Sequence, residues 1–146
     1  MTQTVWAHLP NAKHIDWVLA SLESYPEKWA LAYTASDSAY AAWDAAYGAA
    51  SGSAYTAASD AAWFAAFAAA NNVAYNTARG EARDAVWDAA FDAATDTITA
   101  LIAYDDCAYM IESEVGELKI IAAFGDQRAI LLLPACIVYN ETKVLA

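Results

Sequence analysis

Apolar positions fall on three different rhythms along the chain, and each predicts helix of a different kind. Between Trp6 and Leu22, the residues Ile15, Val18, Leu19 and Leu22 recur at i, i+3, i+4 and i+7, the spacing of one helical stripe. Pro10-Asn11 marks where that helix starts. A second start follows at Ser24-Tyr25-Pro26-Glu27, where a serine three residues before a glutamate forms a capping box. Pro26 falls in the first turn, where its missing N–H does no harm.

The middle of the chain keeps a four-residue beat. Alanine doublets stand at 41-42, 45-46, 49-50, 57-58, 61-62, 65-66, 89-90 and 93-94, and the pairs between them include Trp43-Asp44, Trp63-Phe64, Trp87-Asp88 and Phe91-Asp92. The unit is Ala-Ala-aromatic-Asp, in phase from about Ala41 to Asp96, which points to tandem duplication of a short segment. At 100° per residue, four residues advance 400°, so the stripe drifts by about 40° per unit and circles the helix in roughly nine. One straight helix cannot hold that stripe against one partner. The chain is expected to break into shorter helices at Gly48, Ser51-Gly52-Ser53, Asn71-Asn72 and Arg79-Gly80.

From Ile98 onward the beat is lost. Ile98, Leu101, Ile102 and Ala108 are expected to continue one helix face. Ser113 is expected to cap a helix carrying Leu118, Ile121 and Ala122 and ending at Gly125, and Asp126 to cap another from Gln127 to about Tyr139. The run Ile130 to Leu133 is apolar on every side, which places this last helix centrally, with Pro134 kinking it. The fold class is thus all-α: alanine-rich helical hairpins packed on an apolar C-terminal helix. The 146 residues make one domain, with N-terminal helices over 1–38, repeat helices over 39–97 and core helices over 98–146.

Composition narrows the function. Lys+Arg 7 against Asp+Glu 18 gives a net charge of −11, and none of the seven cations lies between Trp29 and Ala78. That is no footprint for double-stranded nucleic acid. Hydrophobics at 60% exclude a disordered chain, while no apolar run reaches the roughly 18 residues of a membrane span. Met1-Thr-Gln-Thr lacks the start of a secretory signal. Cys107 and Cys136 have no Cys-x-x-Cys partner and read as buried free thiols in a reducing cytosol.

Four groups of residues carry candidate chemistry. Tyr75, Arg79, Arg83 and Trp87 form an i, i+4 column in which two guanidinium groups between aromatic faces suit a stackable anion such as a nucleotide. The plainer reading has both arginines neutralising neighbouring aspartates. Asp84, Asp88, Asp92 and Asp96 lie along one helix face and suit a cation or a basic partner; the plainer reading is a solvated face inherited from the repeat. Glu114-Val-Gly-Glu117-Leu, with Glu112 nearby and Asp126 downstream, is similar to a fragment of the metal-binding helix of all-helical nucleotide pyrophosphohydrolases. Acids at the positive end of a helix explain the same fragment without a metal. His8 and His14 belong to no zinc or triad pattern.

Asp16-Trp-Val-Leu-Ala-Ser-Leu-Glu, then Tyr25-Pro-Glu-Lys, the Ala-Ala-Trp-Asp units and Leu-Leu-Leu-Pro-Ala together resemble the alanine-rich repeat proteins of tailed bacteriophages. The repeats also show a fainter likeness to alanine-rich helical immunity proteins of bacteria. The phage resemblance implies an accessory protein in the host cytoplasm, without enzymatic activity, cofactor or metal, that counters host defence by binding. It would either sequester a nucleotide signal through Arg79, Arg83, Tyr75 and Trp87 or occupy a basic site on a host protein. A homo-oligomer is expected, because alanine faces bury little area per residue. The alternatives are a Mg²⁺-dependent nucleotide pyrophosphohydrolase using Glu112, Glu114, Glu117 and Asp126, and a structural virion component.

Overall fold

The computed structural model describes residues 6, 7, 9–35, 46, 48, 64–68 and 80–143, with 34, 35 and 80–87 described by their backbone. Every regular element among the described residues is helical, as an all-α fold requires. Helix α1 spans Ala12–Ser24, α2 Pro26–Ala35 and α3 Gly80–Ala103. A 3-10 turn follows over Ala108–Glu112, then α4 over Val115–Ala123 and α5 over Gln127–Thr142.

Helix α1 buries the stripe its spacing dictates, with Ile15, Val18 and Leu22 closed to solvent. Asn11 precedes it but makes no side-chain capping bond. Its Nδ2 donates instead to the carbonyl oxygens of Leu101 at 2.8 Å and Tyr104 at 2.9 Å, beside the end of α3. Carbonyls in a helix's last turn lack intrahelical donors, so Asn11 caps a different helix from the one it precedes. Ser24 ends α1 rather than capping α2, which opens on Pro26 after the single residue Tyr25.

Aromatic rings tie this hairpin to the C-terminal helix. Trp29, fully buried, donates from Nε1 to Ser21 Oγ at 3.0 Å. Trp17 lies 5.9 Å from the Trp29 ring and 6.1 Å, edge-on, from the Tyr139 ring of α5. Its own Nε1 is buried with no hydrogen-bond partner among the described residues.

Helix α3 begins at Gly80, where Arg79-Gly80 predicted a break, and pairs with α2 more extensively than any other two described helices pair. Ala90, Ala93, Ala94 and Ala100 are buried, and such small side chains let a neighbouring backbone approach closely. Thr95, Thr97 and Thr99 are buried as well, each hydroxyl donating to the carbonyl four residues back at 2.9, 3.0 and 2.7 Å. The helix stops at Ala103, short of the expected continuation to Ala108, which belongs to the 3-10 turn. Asp105-Asp106 turn the chain there, and the Asn11 amide occupies the carbonyls that a longer helix would use. Gly48, expected to break a helix, is helical together with Ala46. Ser51-Gly52-Ser53 and Asn71-Asn72 lie outside the described residues.

Helix α5 sits at the centre, as its all-round apolarity predicts, packed against α2, α3, α4 and the 3-10 turn. Leu131, Leu132, Cys136 and Val138 are closed to solvent, and Pro134 lies inside the helix. Asp126 caps it as expected, accepting from the backbone N–H of Arg128 at 2.9 Å and of Ala129 at 3.3 Å. Ser113 does not cap α4: its hydroxyl donates back to the Tyr109 carbonyl at 3.2 Å, and Glu114 holds the N-cap position.

Candidate functional site

The residues singled out for anion binding are not brought together by what is described. Tyr75 and Arg79 lie outside the described residues, and Arg83 and Trp87 fall on the backbone-only stretch of α3. Asp84 shares that stretch, while His8 lies outside the description.

The aspartate ladder is not a uniformly solvated face. Asp88 and Asp92 are exposed, but Asp96 is only 8% exposed. From Ala93 to Ile102 every position of α3 is buried, so Asp96, the last rung, goes in because the whole helix enters the core there and not because the stripe has turned. Although Asp92 is exposed, protein packed around one side of its carboxyl strips part of its water, and this, followed by the Asp88 carboxylate one turn earlier, pushes it above its ordinary range.

The acids of the hydrolase-like fragment separate across α4. Glu112 Oε2 lies 3.2 Å from His14 Nε2, linking the 3-10 turn to α1. Glu114 and Glu117 are exposed at the start of α4 and form no ion pair among the described residues. Asp126 lies past the other end of that nine-residue helix. Its carboxylate is occupied by two backbone amides and by Arg128, whose Nη2 stands 3.3 Å from Oδ2. Burial pushes the Asp126 pKa up, but these donors outweigh it and hold the carboxyl below its ordinary value. No cluster of three metal-ligating side chains occurs among the described residues.

The excess of Asp+Glu 18 over Lys+Arg 7 makes the chain acidic, and the ion pairs among the described residues draw on two of its cations. Lys28 Nζ contacts Glu141 at 3.2 Å, and Arg128 contacts Asp106 and Asp126 at 3.3 Å each. Glu23, Glu27, Asp88, Asp105, Glu114 and Glu117 remain exposed around them. Both cysteines are free and buried. Burial dominates their chemistry, pushing Cys107 up to about 12 and Cys136 up to about 11, so neither is an activated nucleophile.

One feature was not singled out from sequence. Helix α4 buries Leu118 completely, with Val115 and Ala122 partly covered on the same side. Its other side is also apolar and faces solvent: Ile120 is 60% exposed, Ile121 39% and Phe124 88%. The corner that carries Phe124 is fixed by hydrogen bonds. Gly125, at φ +92, lets its N–H reach the Ala122 carbonyl at 2.9 Å, while the Asp126 N–H reaches Ile121 at 3.4 Å. That pair of bonds is a Schellman closure, which fills the last carbonyls of α4. The sequence signal is the width of the apolar stripe, Leu118 and Ala122 on one side, Ile120 and Phe124 on the other, with Ile121 on the border between them.

With the bundle and its acidic surface defined, comparison with protein-family models, with curated proteins and with solved structures returns no match. No described helix is long and apolar enough to cross a membrane.

Proposed function

We propose that this chain is a non-enzymatic binding protein of bacteriophage origin that counters a host defence by occupying a basic site on a host protein. The observation that carries the binding half is the charge pattern. Among the described residues, Lys28 and Arg128 are taken up by the chain's own carboxylates, and the exposed cations without one, Lys13, Lys119 and Lys143, are outnumbered by the exposed acids without a basic partner, Glu23, Glu27, Asp88, Asp92, Asp105, Glu114 and Glu117. A rigid helical scaffold with that surface steers towards a positively charged partner and repels polyanions. The phage setting and the defence target come from the resemblance of the flanks and repeats to tailed-phage proteins.

Two measurements test the halves separately. Expression in bacteria carrying a defence system is expected to raise phage plating, and unchanged plating across defence-bearing strains would overturn the anti-defence half. Affinity purification at low salt is expected to retain a host protein whose Kd rises about tenfold between roughly 50 and 300 mM NaCl, since interactions between exposed charges are screened over about a Debye length. A Kd flat across that range would overturn the acidic-surface half.

A further inference from the structure

We propose that the solvent face of α4 is a seat for a basic amphipathic helix of the partner, with Ile120, Ile121 and Phe124 taking its apolar stripe and Glu114 and Glu117 its cations. The proposal rests on the reading of this chain as a binder of a basic protein site, and it says where and how that site docks.

Three observations converge on this occupant. The first is the apolar area itself. A helix of nine residues with one side chain fully buried, and with Ile120, Ile121 and its C-cap Phe124 all in water, is unusual, because that exposure opposes folding unless something covers it. The second is charge placed in register with it. Glu117 precedes Ile120 and Ile121 by three and four residues, so it lies on their face, and Glu114 stands one turn further back. Neither acid has an ion-pair partner among the described residues. Lys119, the cation of this helix, lies about 200° around the axis from Glu117 and does not neutralise that face.

The third observation is rigidity. Phe124 stands on the Schellman closure and is followed at once by the Asp126 cap of α5, so its outward aim is set by backbone hydrogen bonds. From Glu114 to Phe124 the face runs about 15 Å, close to three turns of a docked helix. Apolar anchors at helical spacing flanked by acids fit the helix-in-groove mode of recognition, with cations on the incoming helix meeting the acids. A second copy of the chain fits less well. It brings its own Glu114 and Glu117 to the same face and another net charge of −11.

The probe is a fluorescent Leu/Lys peptide of about 18 residues that forms five amphipathic turns, set against a peptide of identical composition whose leucines are spread around the axis. Anisotropy with the full chain is expected to show binding of the amphipathic peptide, weakened about tenfold or more by Ile120→Ser with Phe124→Ser and, separately, by Glu114→Gln with Glu117→Gln. All four side chains are exposed, and unchanged melting curves confirm that the fold is kept. Equal binding of the two peptides, or variants that bind as tightly as the parent, would overturn the seat. Salt-sensitive binding of both peptides that ignores Phe124→Ser removes this seat and leaves the acidic-surface reading standing. Absence of binding by either peptide in low salt removes both. A dimer in sedimentation, or adsorption to phosphatidylcholine vesicles, that disappears in Phe124→Ser would give the face to another occupant and overturn the proposal.

Discussion

Asn11 joins two helix ends that lie 90 residues apart in the chain, its amide bridging the Leu101 and Tyr104 carbonyls. Locally it is a helix start signal, and nothing around Pro10-Asn11 announces the second role. A side chain that caps a remote helix has no sequence spacing to betray it, whereas Asp126, which caps its own helix, was legible from position alone. Asn11→Ala is expected to destabilise the fold by about 2 kcal/mol, because buried carbonyls lose their donor; urea denaturation of the two proteins measures it. Asp92 gives the opposite sign. Its carboxyl titrates higher in the folded state, through partial desolvation and then Asp88, so stability is fully present below the ordinary value of 3.8 and is lost as pH rises through the raised folded value. Asp92→Asn is therefore expected to stabilise by about 0.3 kcal/mol at neutral pH. The gain should vanish near pH 3, and melting curves at the two pH values decide whether charge is the cause.

At the scale of elements, the turn between α4 and α5 was the best anticipated: Gly125 as a stop and Asp126 as a start both follow from which residues tolerate those backbone positions. Two glycines bracketing α4 test that logic in opposite directions. At Gly125 an added Cβ meets nothing within 4 Å, so the effect of Gly125→Ala comes from φ +92 alone and is expected to destabilise by about 1–2 kcal/mol. At Gly116, inside the helix, the added Cβ meets Glu114 Oε1 at an ordinary 3.5 Å, and Gly116→Ala is expected to stabilise by about 0.5–1 kcal/mol. Chemical denaturation of the pair distinguishes them by sign. Neither Ser24 nor Ser113 is the cap that its position predicts, because Ser24 is the last residue of α1 and Ser113 closes the 3-10 turn, leaving Glu114 at the N-cap of α4. The exposed side of α4 was missed for a related reason. Ile120, Ile121 and Phe124 have the spacing of a core stripe, and which of two apolar sides turns inward is settled by packing partners distant in sequence.

Across the whole molecule, an all-α fold with an apolar C-terminal helix at its centre was legible because composition and periodicity agreed, and the alanine face of α3 follows the same logic, most of the remaining repeat lying outside the described residues. The surface that could act on a partner was not legible, since it depends on which charges the fold pairs off. The centrality of α5 has a direct readout in its thiol. Cys136 on α5 and Cys107 beside α3 are buried with their pKa values pushed up, so neither is expected to react with a disulfide reagent at pH 8 in the native protein. Both should titrate fully in denaturant, and rapid labelling of either in buffer would show the core opening there. The passage of the aspartate ladder from surface to interior bears on how such a chain can grow. Splicing one more tetrad into α3 would slide everything upstream by about 6 Å and rotate it by about 40°, exchanging wet positions for dry ones. Copy number in this segment is therefore quantised like the teeth of a ratchet: a gene that stutters here changes the register of its own interior, and only additions that fall between helices escape that toll.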